Sequence, residues 1–141
     1  MSKNKIIRIL AGAFIIFSAF SLLMVSLMAM ANPQSVMDLV QVNLPNTDAY
    51  SSIRGIYGGV GLVIIIQLIY LLIKDIRKAL AFLSLFWGAY AVSRCITIVA
   101  DGALGDFGSQ WLMIESIFSI IALVLYSLYK KPQTAHRIGI A

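Results

Sequence analysis

The sequence predicts an all-α membrane protein: an antiparallel bundle of four transmembrane helices, with a short interfacial helix in the first extracytoplasmic loop. Three observations support this fold class. The chain has 141 residues, of which 60% are hydrophobic and only 12% charged, whereas a soluble domain is about 25% charged. Four apolar runs follow one another, and each approaches the roughly 20 residues that cross a bilayer as a helix. Basic residues form short clusters between these runs, so the net charge of +5 indicates orientation in a membrane rather than nucleic-acid binding.

The first apolar run predicts a helix over about residues 8–31, preceded by Lys3, Lys5 and Arg8. A basic start and the Ala-Met-Ala sequence at 29–31 would also suit a secretory signal peptide. However, the apolar part is about 23 residues long, whereas the apolar region of a signal peptide has about 7–15. We therefore expect a retained first span, and a three-span chain with a cleaved first segment is the alternative.

The polar stretch over residues 32–53 separates the first two runs. Val36, Leu39 and Val40 recur there at i, i+3 and i+4, which predicts a short interfacial helix over 35–42. The remaining membrane helices are predicted at about residues 54–73, 79–100 and 111–129, and the whole chain, 1–141, is predicted to be a single domain.

The distribution of basic residues predicts the orientation. The N-terminus, the 74–78 turn and the tail after residue 129 hold three Lys or Arg residues each, whereas the connections at 32–53 and 101–110, taken together, hold none and carry four aspartates. Four crossings place all three basic segments on one side, which the positive-inside rule assigns to the cytoplasm. We expect a multi-pass protein of the cell (inner) membrane with both termini cytoplasmic.

Small residues on two of the helices predict close helix packing, because glycine, alanine and serine let helix backbones approach in lipid. Two interpretations stay open. The small residues either pack the helices within one bundle, or they form an interface with a second copy of the chain or a groove for a ligand. The residues are Gly55, Gly58, Gly59 and Gly61 on the second helix and Ser84, Gly88 and Ala91 on the third.

Arg94 lies inside the third apolar run, where a cation is costly unless it is paired or hydrated. Its depth is about 10 Å below Asp101, and Glu115 lies roughly 7 Å below the start of the fourth helix. Arg54 starts the second helix on the same side. We therefore expect these four charges to share one level in the outer third of the membrane, with Arg94 paired to Glu115 through a two-pronged contact.

Aromatic and small residues share helical stripes with these charges, which predicts a polar, aromatic-walled pocket that opens to the outside. Two interpretations stay open: a buried charge network that fixes helix register, and a ligand or proton site. The candidate ligand-binding residues are Arg54, Tyr57, Tyr90, Arg94, Asp101, Trp111 and Glu115.

Cys95 is the one cysteine of the chain, and no Cys/His grouping predicts a metal site or a cofactor. The RGIYGG sequence at 54–59, with Arg94 ahead of the Asp101-Gly102 step and Glu115 in the last helix, resembles a family of small bacterial four-helix membrane proteins known as a domain of unknown function. The resemblance covers roughly residues 32–129. It implies that these residues belong together, with Tyr57, Gly58 and Gly59.

That family more loosely resembles the DoxX-type four-helix membrane proteins, some of which are linked with quinone or thiosulfate redox chemistry. This chain has no redox cysteine pair and no histidine within its apolar runs. We therefore expect a non-enzymatic membrane protein that binds a lipidic or small anionic molecule, such as a quinone, or that serves a homo-oligomer or a larger membrane complex. The alternative is a proton-coupled transporter or a membrane redox subunit that uses Glu115 and Asp101.

Overall fold

The computed structural model describes residues 2–129, and in this part of the chain six α-helices and one π-helical segment follow one another. The tail cluster of Lys130, Lys131 and Arg137 lies outside the described residues. The elements are α1 (Lys3–Ala31), α2 (Pro33–Asp38), α3 (Thr47–Ile53), the π segment (Arg54–Val60), α4 (Gly61–Lys74), α5 (Ile76–Asp101) and α6 (Asp106–Leu128).

Within residues 2–129, four helical stretches are long and apolar enough to cross a membrane: α1, the continuous stretch Thr47–Lys74, α5 and α6. This confirms the predicted fold class. Large apolar side chains cover the outside of the bundle, and Val99, Leu85 and Ile73 are 88%, 76% and 74% exposed. An apolar surface of this extent is expected where lipid, rather than water, surrounds a protein.

Polar side chains cap the starts of α2, α3 and α5, and several helices begin earlier than the apolar runs predict. The Asn46 side chain accepts a hydrogen bond from the Ala49 amide at 2.9 Å, and the second span begins at Thr47 instead of near residue 54. Asp75 accepts from the Lys78 amide at 3.3 Å and starts α5 at Ile76. Such caps satisfy amides that have no partner in the first turn.

The short helix of the first connection is α2, which is shorter and lies earlier than the predicted 35–42. Asn32 accepts a hydrogen bond from the Gln34 amide, and Pro33 occupies the first turn, where its missing N–H is not needed. Val36 and Met37 are buried and pack near Ala29 of α1.

Side-chain burial divides the bundle into two halves. We call the end with residue 3, the 74–76 turn and residue 128 the inner end, and the opposite end the outer end. The inner half is closed by a continuous apolar core of Ile7, Ala11, Ile15 and Ala19 from α1, Leu68 from α4, Ala79, Leu80, Leu83 and Trp87 from α5, and Ala122, Leu125 and Tyr129 at the end of the chain.

In the outer half, α1 stays close to the second span, and α5 stays close to α6, but the two pairs separate. A Cβ on Gly58 would lie 2.6 Å from the Met30 sulfur, and a Cβ on Gly61 would overlap Ser26. The α5–α6 pair is held by Ser119, whose Oγ donates to the Ser84 carbonyl at 2.9 Å. Since α5 buries no residue beyond Trp87, the outer half is where a cavity forms.

Candidate functional site

A cavity of about 380 Å³ lies between the two helix pairs in the outer half. Its volume falls within the range of about 300–1,000 Å³ that is typical of small-molecule sites. Its lining comes from every membrane span and from α2 with the turn that follows it: Ser21, Leu22, Val25, Ser26, Val36, Met37, Leu39, Val40, Ile56, Tyr57, Val60, Gly61, Ile64, Phe86, Trp87, Tyr90, Arg94, Phe107, Trp111 and Glu115.

The predicted pair of Arg94 and Glu115 is present in the cavity wall. Arg94 Nε donates to Glu115 Oε2 at 2.7 Å, and Nη2 donates to Oε1 at 2.9 Å. The Glu115 side chain is 3% exposed and that of Arg94 is 22% exposed. This two-pronged geometry suits a guanidinium and a carboxylate that share a desolvated site, and the pair contributes no net charge to the cavity.

Aromatic rings form much of the remaining wall. The sequence-predicted Tyr57, Tyr90 and Trp111 all line the cavity. Phe86 packs edge-on against Trp87 and Tyr90, with 5.2 Å between ring centroids in both contacts. The aromatic side chains therefore form a connected surface next to the ion pair.

Trp87, Phe86 and Phe107 line the cavity although the candidate site residues did not include them. Trp87 shares a helical stripe with Tyr90 and Arg94, at i, i+3 and i+7, and that stripe predicts that its side chain faces the pocket. Phe107 has no comparable signal, because α6 begins before the fourth apolar run.

Arg54 does not line the cavity. Its Nε donates to the Met30 carbonyl at 3.1 Å, in the last turn of α1. The final carbonyls of a helix have no partner within that helix, and Arg54 satisfies one of them. The predicted group of four charges is therefore not complete, because Arg54 binds the end of α1 instead of joining the other three.

Asp101 also lies outside the cavity lining. It is the last residue of α5 and is exposed. Within residues 2–129, no ion pair joins Asp101 to Arg54 or to Arg94. The structure thus brings together five of the seven candidate ligand-binding residues, namely Tyr57, Tyr90, Arg94, Trp111 and Glu115, and leaves Arg54 and Asp101 apart.

The predicted packing glycines of the second span divide into two faces. Gly58 and Gly61 approach α1, whereas a Cβ on Gly55 or Gly59 would meet nothing within 4 Å. The π segment contains Tyr57 and three of these glycines, and π-helical turns occur frequently at functional sites. Close approach at Gly58 and Gly61 fixes the second span against α1 while Tyr57 borders the cavity.

The third-helix packing residues face α6 at two positions. A Cβ on Gly88 would lie 3.1 Å from the Ser119 Oγ, and Ser84 accepts the hydrogen bond from the same hydroxyl. Ala91 is partly buried. The Ser119 side chain thereby fills the space beside Gly88. Its hydrogen bond fixes how α5 and α6 are aligned on the inner side of the ion pair.

The part of the chain covering residues 2–129 contains no group of three or more His, Cys, Asp or Glu residues that could hold a metal ion. The cavity lining offers hydrogen-bonding and aromatic side chains. Neither the curated proteins nor the solved structures contain a match to this chain. The sequence model of DUF4345, described as a domain of unknown function, matches residues 10–126, so the chain belongs to this family.

Proposed function

We propose that this membrane protein is non-enzymatic and binds a small lipidic molecule, such as a lipid or a quinone, in the outer cavity. The observation that supports the proposal most strongly is the cavity itself, which combines aromatic and aliphatic walls with one neutral ion pair. Ligand sites are commonly apolar clefts with a few polar groups that fix orientation.

The edge of the cavity supports a ligand that arrives from the membrane. Among the lining residues, Leu39, Val40, Ile56 and Val60 are large apolar side chains, 45%, 46%, 61% and 54% exposed. An apolar edge does not attract a water-soluble polar ligand, whereas a lipidic molecule can pass it without losing favourable contacts.

A proton-coupled transporter or redox subunit that uses Glu115 and Asp101 is less well supported. Both Glu115 oxygens accept hydrogen bonds from Arg94. Asp101 is exposed and lies outside the cavity lining, so the two carboxylates do not form a pair around one space. The binding proposal uses the residues that do meet there.

The ion pair also joins α5 to α6, and in this proposal it both holds these two helices together and provides the polar groups of the cavity.

The orientation in the membrane belongs to the same proposal: the cavity opens toward the outside of the inner membrane if both termini are cytoplasmic. Among the described residues, Lys3, Lys5 and Arg8 lie at the inner end with the basic 74–78 turn, which supports this orientation.

Blocking the cavity tests the proposal. Val25 lines the cavity, and Val25→Trp would fill it, whereas Val63→Trp makes the same change on a side chain that is 65% exposed outside it. The proteins are purified in a mild detergent and the retained molecules are identified by native mass spectrometry. We expect a lipidic molecule on the wild type and on Val63→Trp and its loss from Val25→Trp. No retained molecule on the wild type, or equal retention by all three proteins, would contradict the proposal.

A further inference from the structure

Gln67 carries a polar side chain on the lipid-facing surface of the second span. It is exposed and lies seven residues before Lys74, which places it about 10 Å along α4 from the inner end. Among the described residues, its amide has no hydrogen-bond partner. An amide without a partner is costly in hydrocarbon, and polar side chains within membrane spans bond across helix interfaces. The structure thus leaves one polar group unsatisfied on an apolar surface.

Three hydroxyl side chains of α5 and α6 show how the bundle avoids this cost elsewhere. Ser93, Thr97 and Ser127 each donate to a backbone carbonyl three or four residues earlier in the same helix, at 2.7, 3.1 and 2.9 Å. Such bonds within a helix satisfy a short hydroxyl side chain. The Gln67 amide makes no bond of this kind, although it has two donors and an acceptor to satisfy. It therefore needs a partner outside its own helix.

Gln67 belongs to an otherwise apolar face of α4. Val63, Ile66 and Tyr70 lie on the same side of the helix, because they are four residues before, one before and three after Gln67. Their exposed fractions are 65%, 69% and 54%. Leu68, which is fully buried, lies on the side of α4 that packs into the core of the inner half. We call Val63, Ile66, Gln67 and Tyr70 the Gln67 face.

A second copy of the chain is the partner that fits the Gln67 face. Copies inserted in the same orientation hold Gln67 at one depth, and a two-fold axis along the membrane normal brings the two side chains opposite each other. Each amide then donates through its NH₂ group and accepts through its oxygen, so that one residue satisfies its own counterpart. The face has no Lys, Arg, Asp or Glu, so two copies do not repel each other there.

We propose that two copies of this protein associate through the Gln67 face, with reciprocal hydrogen bonds between the two Gln67 amides and apolar packing around them. No residue of this face lines the cavity. The proposal therefore goes beyond the binding function and does not depend on it.

The first test measures self-association of the full chain in phosphatidylcholine liposomes. Cys95 is replaced by serine, and Lys78→Cys carries either a donor or an acceptor dye. Energy transfer between copies, followed as the protein-to-lipid ratio changes, gives the dissociation constant. We expect Gln67→Leu to raise this constant about tenfold, as the loss of an interhelical amide pair predicts. Gln67→Asn keeps an amide and should restore part of the affinity.

Thr97→Val is the matched control, because it removes a hydroxyl that is already bonded within its own helix. It should leave the dissociation constant unchanged. Gln67→Leu makes the lipid-facing surface more apolar, so a weaker dimer in this variant cannot come from a loss of apolar contact.

Cysteine cross-linking in the membranes of expressing cells tests the position of the contact. Ile66→Cys and Leu85→Cys are matched in depth, since Ile66 lies eight residues before Lys74 and Leu85 nine residues after Ile76. They are also matched in exposure, at 69% and 76%. In the background without Cys95, oxidation with copper phenanthroline should give a disulfide-linked dimer of Ile66→Cys and none of Leu85→Cys.

Three outcomes would overturn the proposal. Energy transfer that Gln67→Leu leaves unchanged would exclude the amide pair. The absence of concentration-dependent transfer in the wild type, or equal cross-linking of the two cysteine variants, would exclude a dimer through this face. Cross-linking of Ile66→Cys to a different protein, without a dimer of the chain itself, would assign the face to a foreign partner.

Discussion

Glu115 of α6, whose side chain is 3% exposed, accepts two hydrogen bonds from Arg94 of α5, at 2.7 and 2.9 Å. The pair joins the two helices in the outer half of the bundle, where they separate from α1 and the second span. Below it, Ser119 donates to the Ser84 carbonyl. The cavity therefore has one rigid wall that contains its charged groups.

Removing one member of this pair should cost more than removing both. Arg94→Met leaves the Glu115 carboxylate buried and unpaired, and we expect it to lower the free energy of unfolding by about 3–5 kcal/mol. The double variant Arg94→Met/Glu115→Leu removes both charges and should recover most of that loss. Unfolding by SDS in mixed micelles measures the wild type, both single variants (Arg94→Met and Glu115→Leu) and the double variant. A double variant as unstable as the sum of its parts would contradict the pairing.

The contact between the second span and α1 depends on Gly61. Gly61→Ala places a methyl group against Ser26, which is 2% exposed, and should destabilise the bundle by about 1–3 kcal/mol. Ser26→Gly in the same chain removes the obstructing side chain and should restore part of the loss.

Gly59→Ala is the matched control, because the added methyl group meets nothing within 4 Å. It should stabilise the helix by up to about 1 kcal/mol, since alanine has the higher helix propensity. The free energy of unfolding is measured in the same mixed micelles. Equal effects of Gly59→Ala and Gly61→Ala would show that the second span does not pack on α1 through Gly61.

Gln34 fixes the loop after α2. Its Nε2 donates to Asp38 Oδ1 at 2.7 Å and to the Val42 carbonyl at 2.9 Å, and its Oε1 accepts from the Leu44 amide at 3.0 Å. Gln34→Ala should speed hydrogen exchange of the Leu44 amide about fivefold to tenfold, as expected for one lost hydrogen bond. Asn43→Ala, an exposed site, is the control and should leave that rate unchanged.

Cysteine labelling tests the orientation. Cys95 is first replaced by serine, and single cysteines are then introduced as Asp48→Cys at the outer end and Lys78→Cys at the inner end. Because basic loops stay in the cytoplasm, a membrane-impermeant maleimide added to intact cells should label Asp48→Cys only. Lys78→Cys should react after permeabilisation. The reverse pattern would invert the topology.

The sequence was sufficient to predict the four spans, because each apolar run is long enough to cross a bilayer. The sequence was also sufficient to predict the ion pair of Arg94 and Glu115, since a cation and a carboxylate at the same depth of the membrane have few other partners in lipid. Arg54 and Asp101 were harder to place. Both lie near helix ends, where a backbone carbonyl or water can satisfy a charge as well as an ion pair can.

The π turn of the second span could not be predicted, because stripes in a sequence are read with the 3.6-residue period of an α-helix. The π segment has a wider turn, so residues before and after it shift in register. Gly58 and Gly61, three residues apart, face α1 together, whereas a Cβ on Gly55 or Gly59 would meet nothing within 4 Å. No spacing in the residues themselves marks where a π turn replaces an α turn.

Photo-crosslinking tests most directly the central claim that a lipidic molecule occupies the cavity. A monoacylglycerol whose acyl chain carries a diazirine is bound to the purified protein and irradiated, and the adducts are mapped by peptide mass spectrometry. We predict adducts on Val25, Tyr57 and Tyr90, which unlabelled monoolein prevents. Adducts confined to the outer faces of the helices, for example on Val63 and Val99, and insensitive to competition, would contradict the account.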